Sequence, residues 1–548
     1  MAIFGFQLVS TLIGVSLLSK ITAHFSFTSA FVFGGIYRRL LPTDKEILES
    51  AGLTKVKSKG KRNNGTSGGG DGRVELETFH FPRTTPLKLK SAEVQAHEIA
   101  VLPFYTELVW LVDFSVCAMT VLFVNDFVSF CRQILSASLS SNSSNSSFFH
   151  SMQSFFAPST INLNLVWALL VVFFALTSLV SVLRVYLGRG GGNKKVEQGG
   201  GSNSEWPLIM VAGFSSFVFA MFCLSLDENF LDLRISPAYG NLTFSITSNT
   251  DGGLAISWGM FQAGLASFAA IIGMLFTFPS LQYGRVYIQT LQNSGISWLT
   301  RLLFHLNLIA PQLTLLLWVV PLTARLPELM LQRASSGIGD KLGPIWLSFS
   351  VFCARIFSFE RISSLRLLFT LITVVLRVAM TKMHMQAFLD TAQIRLDRLS
   401  HEPGRVTNIE VQRIVASVFH CFNFAALQYL APTILLIGLA CSYKVSTGTG
   451  WLPLNQQPVF RPSERHSLPN ALETVLQIFD GQEWDSVFTA SWFAVLQQTR
   501  EAFGVMWDSI SYQASSVCEG VLGFALFWCL AVWQAVTVTG TAYYRFVE

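Results

Sequence analysis

Residues 163–184 read LNLVWALLVVFFALTSLVSVLR, a long apolar run that ends on an arginine. About 20 helical residues, each rising 1.5 Å, cross a hydrocarbon core of roughly 30 Å. Inside that core a chain must satisfy its own backbone hydrogen bonds, which a helix does and an open strand does not. This stretch therefore predicts a membrane-spanning helix.

Eight other apolar stretches of comparable length occur along the 548 residues. Only 13% of the residues are charged, against roughly 25% in soluble domains, and mean hydropathy is +0.46. The pattern predicts an all-α fold, a polytopic transmembrane helix bundle of about nine spans, with a range of eight to ten. The predicted spans are 3–19, 108–130, 163–184, 206–226, 254–278, 302–322, 365–381, 414–441 and 521–540.

The first span has an alternative interpretation as a signal peptide within residues 1–28. A signal peptide carries basic residues before its apolar run, and no Lys or Arg precedes the run here. We therefore expect an uncleaved span.

The loops predict an orientation, because basic residues resist translocation across the membrane. Loops on the side of residues 38–98 hold 24 Lys and Arg, and loops on the other side hold 11. Residues 38–98 are therefore predicted to be cytosolic, with a lumenal or extracellular N-terminus and a cytosolic C-terminus, in the plasma membrane or endoplasmic reticulum. The sequons at Asn142, Asn145 and Asn241 all fall on the non-cytosolic side, which predicts glycosylation there.

Composition divides the chain into five regions. They are 1–37, the N-terminal span and its flank; 38–107, a basic and partly disordered cytosolic loop; 108–442, the core transmembrane bundle; 443–520, a lumenal or extracellular loop with amphipathic helices; and 521–548, the last span and a short cytosolic tail. The stretches expected to be unstructured are 55–73, 136–147 and 188–204. Residues 344–359 are predicted to be re-entrant or interfacial, and 469–510 to form amphipathic helices at the outer interface.

Residues 385–399 carry apolar side chains at spacings of three and four, with charged and amide side chains on the other face. This spacing predicts an amphipathic cytosolic helix that extends the seventh span. Pro403 and Gly404 end it, and Thr407 with Glu410 has the spacing of a capping box that starts the next helix. The helix could lie on the inner leaflet, dock on a partner or pack against the protein's own loops.

Enzyme signatures are missing from the sequence. It contains no H-E-x-x-H, Walker A or G-x-G-x-x-G motif and no potassium filter of the T-V-G-Y-G type. The eight cysteines form no C-x-x-C pair, so zinc or dithiol chemistry is not indicated. We predict a protein that is not an enzyme, with no catalytic residue, metal, cofactor or nucleic-acid partner.

Among the charged residues within predicted spans, two stand out. Asp113 lies in the second span and Arg377 near the inner end of the seventh. A charge at membrane depth needs a partner, and the simplest pairing is between these two. The alternative is that Arg377 reaches the inner headgroups while Asp113 lies near the outer boundary.

The sixth and eighth spans share a layout of histidine, amide and proline. The sixth carries His305, Asn307 and Pro311, and the eighth carries His420, Asn423, Gln428 and Pro432. A proline frees a backbone carbonyl and invites a kink, and broken helices with polar groups form ion sites in many transporters. The alternative is that these side chains simply hydrogen-bond neighbouring helices.

The chain contains a series of distinctive strings between its start and about residue 440. They include WLVDF at 110–114, LRVAMTKMHMQAFLDTAQ at 376–393 and ALQYLAP at 426–432. In these strings the chain resembles the transmembrane protein 161 family. The loops at 39–98 and 136–160 and the region after 443 resemble it weakly. The polar positions singled out within the resemblance are Asp113, His305, Asn307, Arg377, His384, Gln386 and Gln428.

The resemblance implies a role in regulating ion currents, calcium handling and the rhythm of excitable cells, with protection against stress. It implies no catalytic activity and no defined transported substrate. The leading hypothesis is a non-enzymatic membrane protein that regulates ion handling by acting on channels or pumps within the lipid bilayer. The alternative is an ion or small-solute transporter or channel that uses polar residues on the proline-broken helices. The oligomeric state is left open.

Overall fold

The computed structural model describes residues 6–52, 79–85, 87–139, 163–188, 205–249, 257–292, 297–323, 325, 329, 361–451 and 492–547. The elements in chain order are α1 (Phe6–His24), a π-helical turn (Ser29–Phe33), β1 (Tyr37–Arg39), α2 (Asp44–Ser50), β2 (His80–Pro82), β3 (Ser91–Glu93), α3 (Ala96–Ala100), α4 (Tyr105–Leu139), α5 (Leu163–Gly188), α6 (Glu205–Ser225), α7 (Ile235–Asn249), α8 (Trp258–Gln292), α9 (Trp298–Leu316), α10 (Ile362–Ala379), α11 (Thr381–His401), β4 (Arg405–Thr407), α12 (Asn408–His420), α13 (Phe422–Thr447) and α14 (Trp492–Val547).

Eight helical segments of the described chain are long and apolar enough to cross a membrane. They are 105–128, 163–188, 206–225, 258–292, 298–316, 362–379, 408–447 and 517–546. Each coincides with one of the predicted spans from the second to the ninth, so the all-α polytopic bundle is confirmed. The strands are short and form two separate two-stranded sheets.

Helix α1 lies beside α4, where the predicted first span would place it. A Cβ atom built on Gly14 would approach a Val121 methyl group to 3.2 Å, so the two helices are in close contact. The apolar part of α1, Thr11–Ile21, is shorter than the other spans. That α1 is an uncleaved ninth span stays a prediction.

Helix α13 is the central helix of the bundle. From Phe422 to Tyr443 all but one of its residues are buried, and it packs against α5, α10 and α14. An apolar surface on all sides is what a helix needs to be enclosed by other helices. The polar side chains of this helix therefore lie in the interior.

The spans run in alternating directions, as contacts at their ends show. Arg366 near the start of α10 donates to the carbonyl of Leu317, which follows α9. This contact lies at the end of the bundle opposite β1, β3 and α11. Near there Asp126 of α4 pairs with Lys444, close to the end of α13. Loops predicted to share a side therefore meet at one end of the bundle. We call the end with β1, β3 and α11 the basic end.

Helix α11 packs against the N-terminal segment at the basic end. The Gln386 side chain accepts a hydrogen bond of 2.9 Å from the Tyr37 amide and donates one of 3.1 Å to the Tyr37 carbonyl. Two turns later Gln393 accepts from the Leu89 amide and donates to the Leu87 carbonyl, at 3.1 and 3.0 Å. The predicted amphipathic helix is confirmed, and it packs on the protein's own loops.

Short strands join the rest of this segment to the start of α12. β1 pairs antiparallel with β3, and β2 pairs antiparallel with β4, which directly precedes α12. The predicted cap is present in one direction, since the Thr407 hydroxyl accepts from the Glu410 amide at 3.2 Å. The described parts of residues 38–107 are therefore folded.

The structure corrects three expectations about loops. Residues 235–249, expected within a loop, form α7, which packs on α14 so closely that a Cβ atom on Gly520 would meet Ala238 at 2.7 Å. Residues 492–510, expected as separate interfacial helices, are continuous with the last span in α14. Residues 136–139, expected to be unstructured, complete α4. In the second and third cases helical hydrogen bonding continues beyond the apolar run that revealed the span.

Several predictions lie outside the described residues. They concern the sequons at Asn142 and Asn145, the segments 344–359 and 469–491, and the stretches 55–73, 140–147 and 189–204.

Candidate functional site

Arg377 lies in the last turn of α10 and is 1% exposed. Its guanidinium carbon is 4.1 Å from the centre of the Trp533 ring on α14 and 5.3 Å from the centre of the Tyr283 ring on α8. Two aromatic faces from different helices therefore hold the cation. Arg377 is therefore enclosed by protein side chains within the bundle.

Three stacked rings continue the site towards the basic end. His384 of α11 stacks on Tyr283 with ring centres 5.4 Å apart and on Tyr429 of α13 at 4.3 Å. Tyr283 also lies 6.2 Å from Tyr429. We call Arg377, Trp533, Tyr283, His384 and Tyr429 the Arg377 cluster; it joins α8, α10, α11, α13 and α14.

The backbone at Arg377 is fixed by a break between two helices. α10 ends at Ala379 and α11 begins at Thr381, with Met380 between them at φ −85° and ψ 0°. The carbonyl of Arg377 accepts a hydrogen bond of 2.7 Å from the Tyr429 hydroxyl and one of 3.2 Å from the Thr381 hydroxyl. A carbonyl at a helix end is thereby satisfied by the central helix.

Several polar atoms of the Arg377 cluster are buried with no hydrogen-bond partner among the residues that the structure describes. They are Nε and Nη1 of Arg377, the hydroxyl of Tyr283, Nδ1 of His384 and Nε1 of Trp533. Buried polar groups are normally paired, so each of these is an exception that needs a physical reason. Among the described residues no carboxylate forms an ion pair with Arg377.

The Arg377 charge is only partly compensated by the rings. A guanidinium stays protonated in proteins, and taking an ion out of water costs several kcal/mol even after relaxation. A desolvated cation–π contact returns about 2 kcal/mol, so two rings leave a deficit. Burial and the nearby Arg377 charge lower the pKa of His384 to about 3, so its ring is neutral at physiological pH.

Arg366, also on α10, shows a different solution to the same problem. It is 2% exposed, and its guanidinium donates to Asp232 at 2.9 Å and to the Leu317 carbonyl at 3.1 Å. Its carbon also lies 4.9 Å from the centre of the Trp318 ring. Arg366 thus has a carboxylate, a carbonyl and a ring, whereas Arg377 has ring contacts and no ion pair within the described part of the chain. The sequence analysis did not predict the pairing of Arg366 with Asp232, although both residues lie near the ends of predicted spans on the same side of the membrane.

The predicted pairing of Asp113 with Arg377 is wrong. The Asp113 carboxylate accepts hydrogen bonds from the Ser26 hydroxyl at 3.2 Å and from the Thr28 amide and hydroxyl at 3.0 and 2.9 Å. Asp113 therefore holds the turn that connects α1 to the basic end. Three donors satisfy a carboxylate without a cation, which is why the simplest pairing did not form.

The two histidine–amide–proline layouts do not form one site. Nδ1 of His305 shares a hydrogen bond of 2.8 Å with the Tyr287 hydroxyl. His420 is exposed and lies at the end of α12. His420 lines a cavity of about 370 Å³ at the basic end whose other polar residues include Arg38, Arg39 and Arg413. The cavity lining includes neither His305 nor Asp113.

Both helices continue through their prolines, Pro311 and Pro432. The eighth span breaks at Cys421, between α12 and α13. Each proline lies four residues after an amide, so the carbonyls that lose a helical partner belong to Asn307 and Gln428.

The two amide side chains behave differently. Gln428 donates a hydrogen bond of 2.7 Å to the Tyr186 hydroxyl on α5. This agrees with the alternative that these amides hydrogen-bond neighbouring helices. Asn307 is 0% exposed and faces the Tyr429 hydroxyl, yet neither of its amide atoms makes a well-formed hydrogen bond. Asn307 therefore adjoins the Arg377 cluster. Of the other predicted positions, His384 is a member of that cluster, and Gln386 bonds the Tyr37 backbone as described above.

The described residues contain no candidate metal site. No group of three or more His, Cys, Asp or Glu side chains with suitable geometry occurs among the described residues. The chemistry of the site is that of a buried cation, aromatic faces and hydrogen-bond donors.

The fold and the site define a class: multi-pass membrane proteins built as an all-α bundle around a polar core. The family model described as "Predicted transmembrane protein 161AB" matches residues 2–157 and 147–548, which is nearly the whole chain. The protein therefore belongs to the transmembrane protein 161 family, as the resemblance predicted. No solved structure matches the chain.

Proposed function

We propose that the protein is non-enzymatic and regulates ion handling, potassium or calcium currents included, by acting on channels or pumps in its membrane. The observation that supports this is a closed core: Arg377, Tyr283 and Asn307 are 1%, 2% and 0% exposed. A conducting pathway presents its polar groups to water, whereas these are enclosed by rings. A cluster that ties five helices together is suited to a bistable packing arrangement, which a regulator requires.

A second candidate is conduction by the protein itself, and one observation favours it. Buried polar atoms without partners continue along the interface of α8 and α14 at Ser280, Gln289, Gln534 and Thr537. Such atoms are normally paired with protein groups or ordered water. A seam of them is what a hydrated or solute-filled pathway would use. The transporter hypothesis therefore shifts from the two histidines to this seam.

Reconstitution distinguishes the two candidates. Purified full-length protein in liposomes should pass no potassium, calcium or chloride if it is a regulator, while restoring channel currents in cells that lack it. Arg377→Met should lose that restoration, and Arg366→Lys, which keeps the charge facing Asp232, should retain it. Ion flux in liposomes that falls in Ser280→Ala or Thr537→Ala would instead support conduction.

The expected orientation is part of the proposal. Asn241 lies in α7, next to the end of the bundle that carries Arg366 and Asp232, which the basic-residue count assigns to the lumen or exterior. Glycans should be found at Asn142, Asn145 or Asn241 and not at Asn64. A glycan at Asn64 alone would invert the topology. Surface labelling would then separate the plasma membrane from the endoplasmic reticulum.

A further inference from the structure

The Arg377 cluster holds a positive charge with no carboxylate beside it among the described residues. We propose that a small inorganic anion of the chloride class binds there, against Arg377, Trp533 and Tyr283. The inference names the ligand of the site discussed above and rests on the proposed function only in taking that site as the functional centre. Binding to the purified protein requires no channel or pump.

The unpaired atoms of the cluster are of the type that an anion needs. Nε and Nη1 of Arg377 and Nε1 of Trp533 can only donate hydrogen bonds. The Tyr283 hydroxyl and Nδ1 of His384 can donate as well. A cation would need acceptors and would be repelled by the guanidinium. Because donors dominate, an anion is the ligand that satisfies the most atoms.

The spacing of the cluster limits the size of the ligand. Neighbouring members of the cluster are in close contact, from 4.1 Å between the Arg377 guanidinium carbon and the Trp533 ring centre to 6.2 Å between the Tyr283 and Tyr429 ring centres. Trp533 and Tyr283 are also in ring contact at 6.1 Å. Side chains packed this closely exclude an organic acid or a phosphate ester, so a monatomic ion is the class of anion that remains.

Arg366 provides an internal comparison within the same helix. It precedes Arg377 by 11 residues, about three helical turns, so both project from the same face of α10. At Arg366 the chain supplies Asp232 as a counter-charge. At Arg377 it supplies aromatic faces and further donors, an arrangement that leaves the counter-charge to a ligand.

The test uses purified full-length protein in lipid nanodiscs and follows thermal unfolding while chloride replaces gluconate at constant ionic strength. The melting temperature of the wild type should rise and then saturate. Arg377→Met should be insensitive to chloride, and Arg366→Lys should respond like the wild type. A wild type that is indifferent to the exchange, or an Arg377→Met variant that still responds, would overturn the proposal.

A second measurement covers the case in which Arg377→Met does not fold. Iodide in place of chloride should quench part of the tryptophan fluorescence in a saturable way, and excess chloride should reverse it. Trp533→Phe, which keeps a ring over the guanidinium, should lose that component. Equal saturable quenching in Trp533→Phe would place the halide elsewhere and contradict the assignment. Neither result depends on whether currents or fluxes are found in the functional assays.

Discussion

The hydroxyl of Tyr429 donates a hydrogen bond of 2.7 Å to the backbone carbonyl of Arg377. This bond joins the central helix α13 to the place where α10 ends and α11 begins. The most buried helix of the bundle therefore fixes the backbone that carries the unpaired cation. Tyr429 therefore links α13 directly to the backbone of Arg377.

Tyr429→Phe tests this bond with the ring stack left in place. Losing a buried donor leaves the carbonyl with one partner fewer, so the free energy of unfolding should fall by about 1–3 kcal/mol. Tyr543→Phe is the matched control, because Tyr543 is 59% exposed and should change stability little. Chemical unfolding in detergent measures both. Equal effects in the two variants would show that the bond contributes nothing.

Asp232→Ala should be among the most damaging single changes at the Arg366 end. It leaves a buried arginine without its carboxylate, which costs about 3–5 kcal/mol. Glu402→Ala removes the exposed partner of Arg83, and such surface pairs contribute about 0–1 kcal/mol. Thermal unfolding of the two variants should therefore separate clearly. A small effect at Asp232 would mean that Trp318 and the Leu317 carbonyl are sufficient for Arg366.

Asp113→Ala and Arg377→Met should act independently. Asp113 accepts from Ser26 and Thr28, whereas Arg377 lies against Trp533, so the double variant should equal the sum of the singles within about 0.5 kcal/mol. Arg377→Met alone should stabilise the protein in chloride-free buffer, because it removes an unpaired buried charge. A strong energetic coupling between the two substitutions would contradict this and support a direct Asp113–Arg377 pair.

His384 should make the protein less stable in acid. Its pKa falls from 6.5 to about 3 on folding, so between these values the unfolded state binds more protons, and stability drops as pH falls below about 6.5. From pH 7.5 to 5.5 the loss should be roughly 1 kcal/mol. His384→Gln should flatten that slope, and His420→Gln should keep it. An unchanged slope in His384→Gln would show that the ring is already charged or accessible.

The spans and α11 were predictable because their signals are local. Apolar runs of about 20 residues reveal each span, and spacings of three and four between Met385 and Leu399 reveal the amphipathic helix. The contacts of α11 with Tyr37, Leu87 and Leu89 were not predictable, because Gln386 and Gln393 bond backbone atoms, and a backbone carries no signal in the sequence.

The partners of the buried charges were predictable only in part. Charge matching suggested Asp113 for Arg377, but hydroxyl groups and aromatic faces can satisfy charges without any charge pattern. Trp533 and Tyr283 lie on other helices far along the chain and look like ordinary lipid-facing or core aromatics in the sequence. The pairing of Asp232 with Arg366 could have been found, because both flank spans whose ends share a side.

Anomalous X-ray diffraction from crystals grown with bromide in place of chloride would test the anion at Arg377 most directly. A bromide peak should lie within hydrogen-bonding distance of Nε or Nη1 of Arg377, on the side of Trp533 and Tyr283. An ordered water at that position, or a carboxylate from a part of the chain outside the described residues, would contradict it.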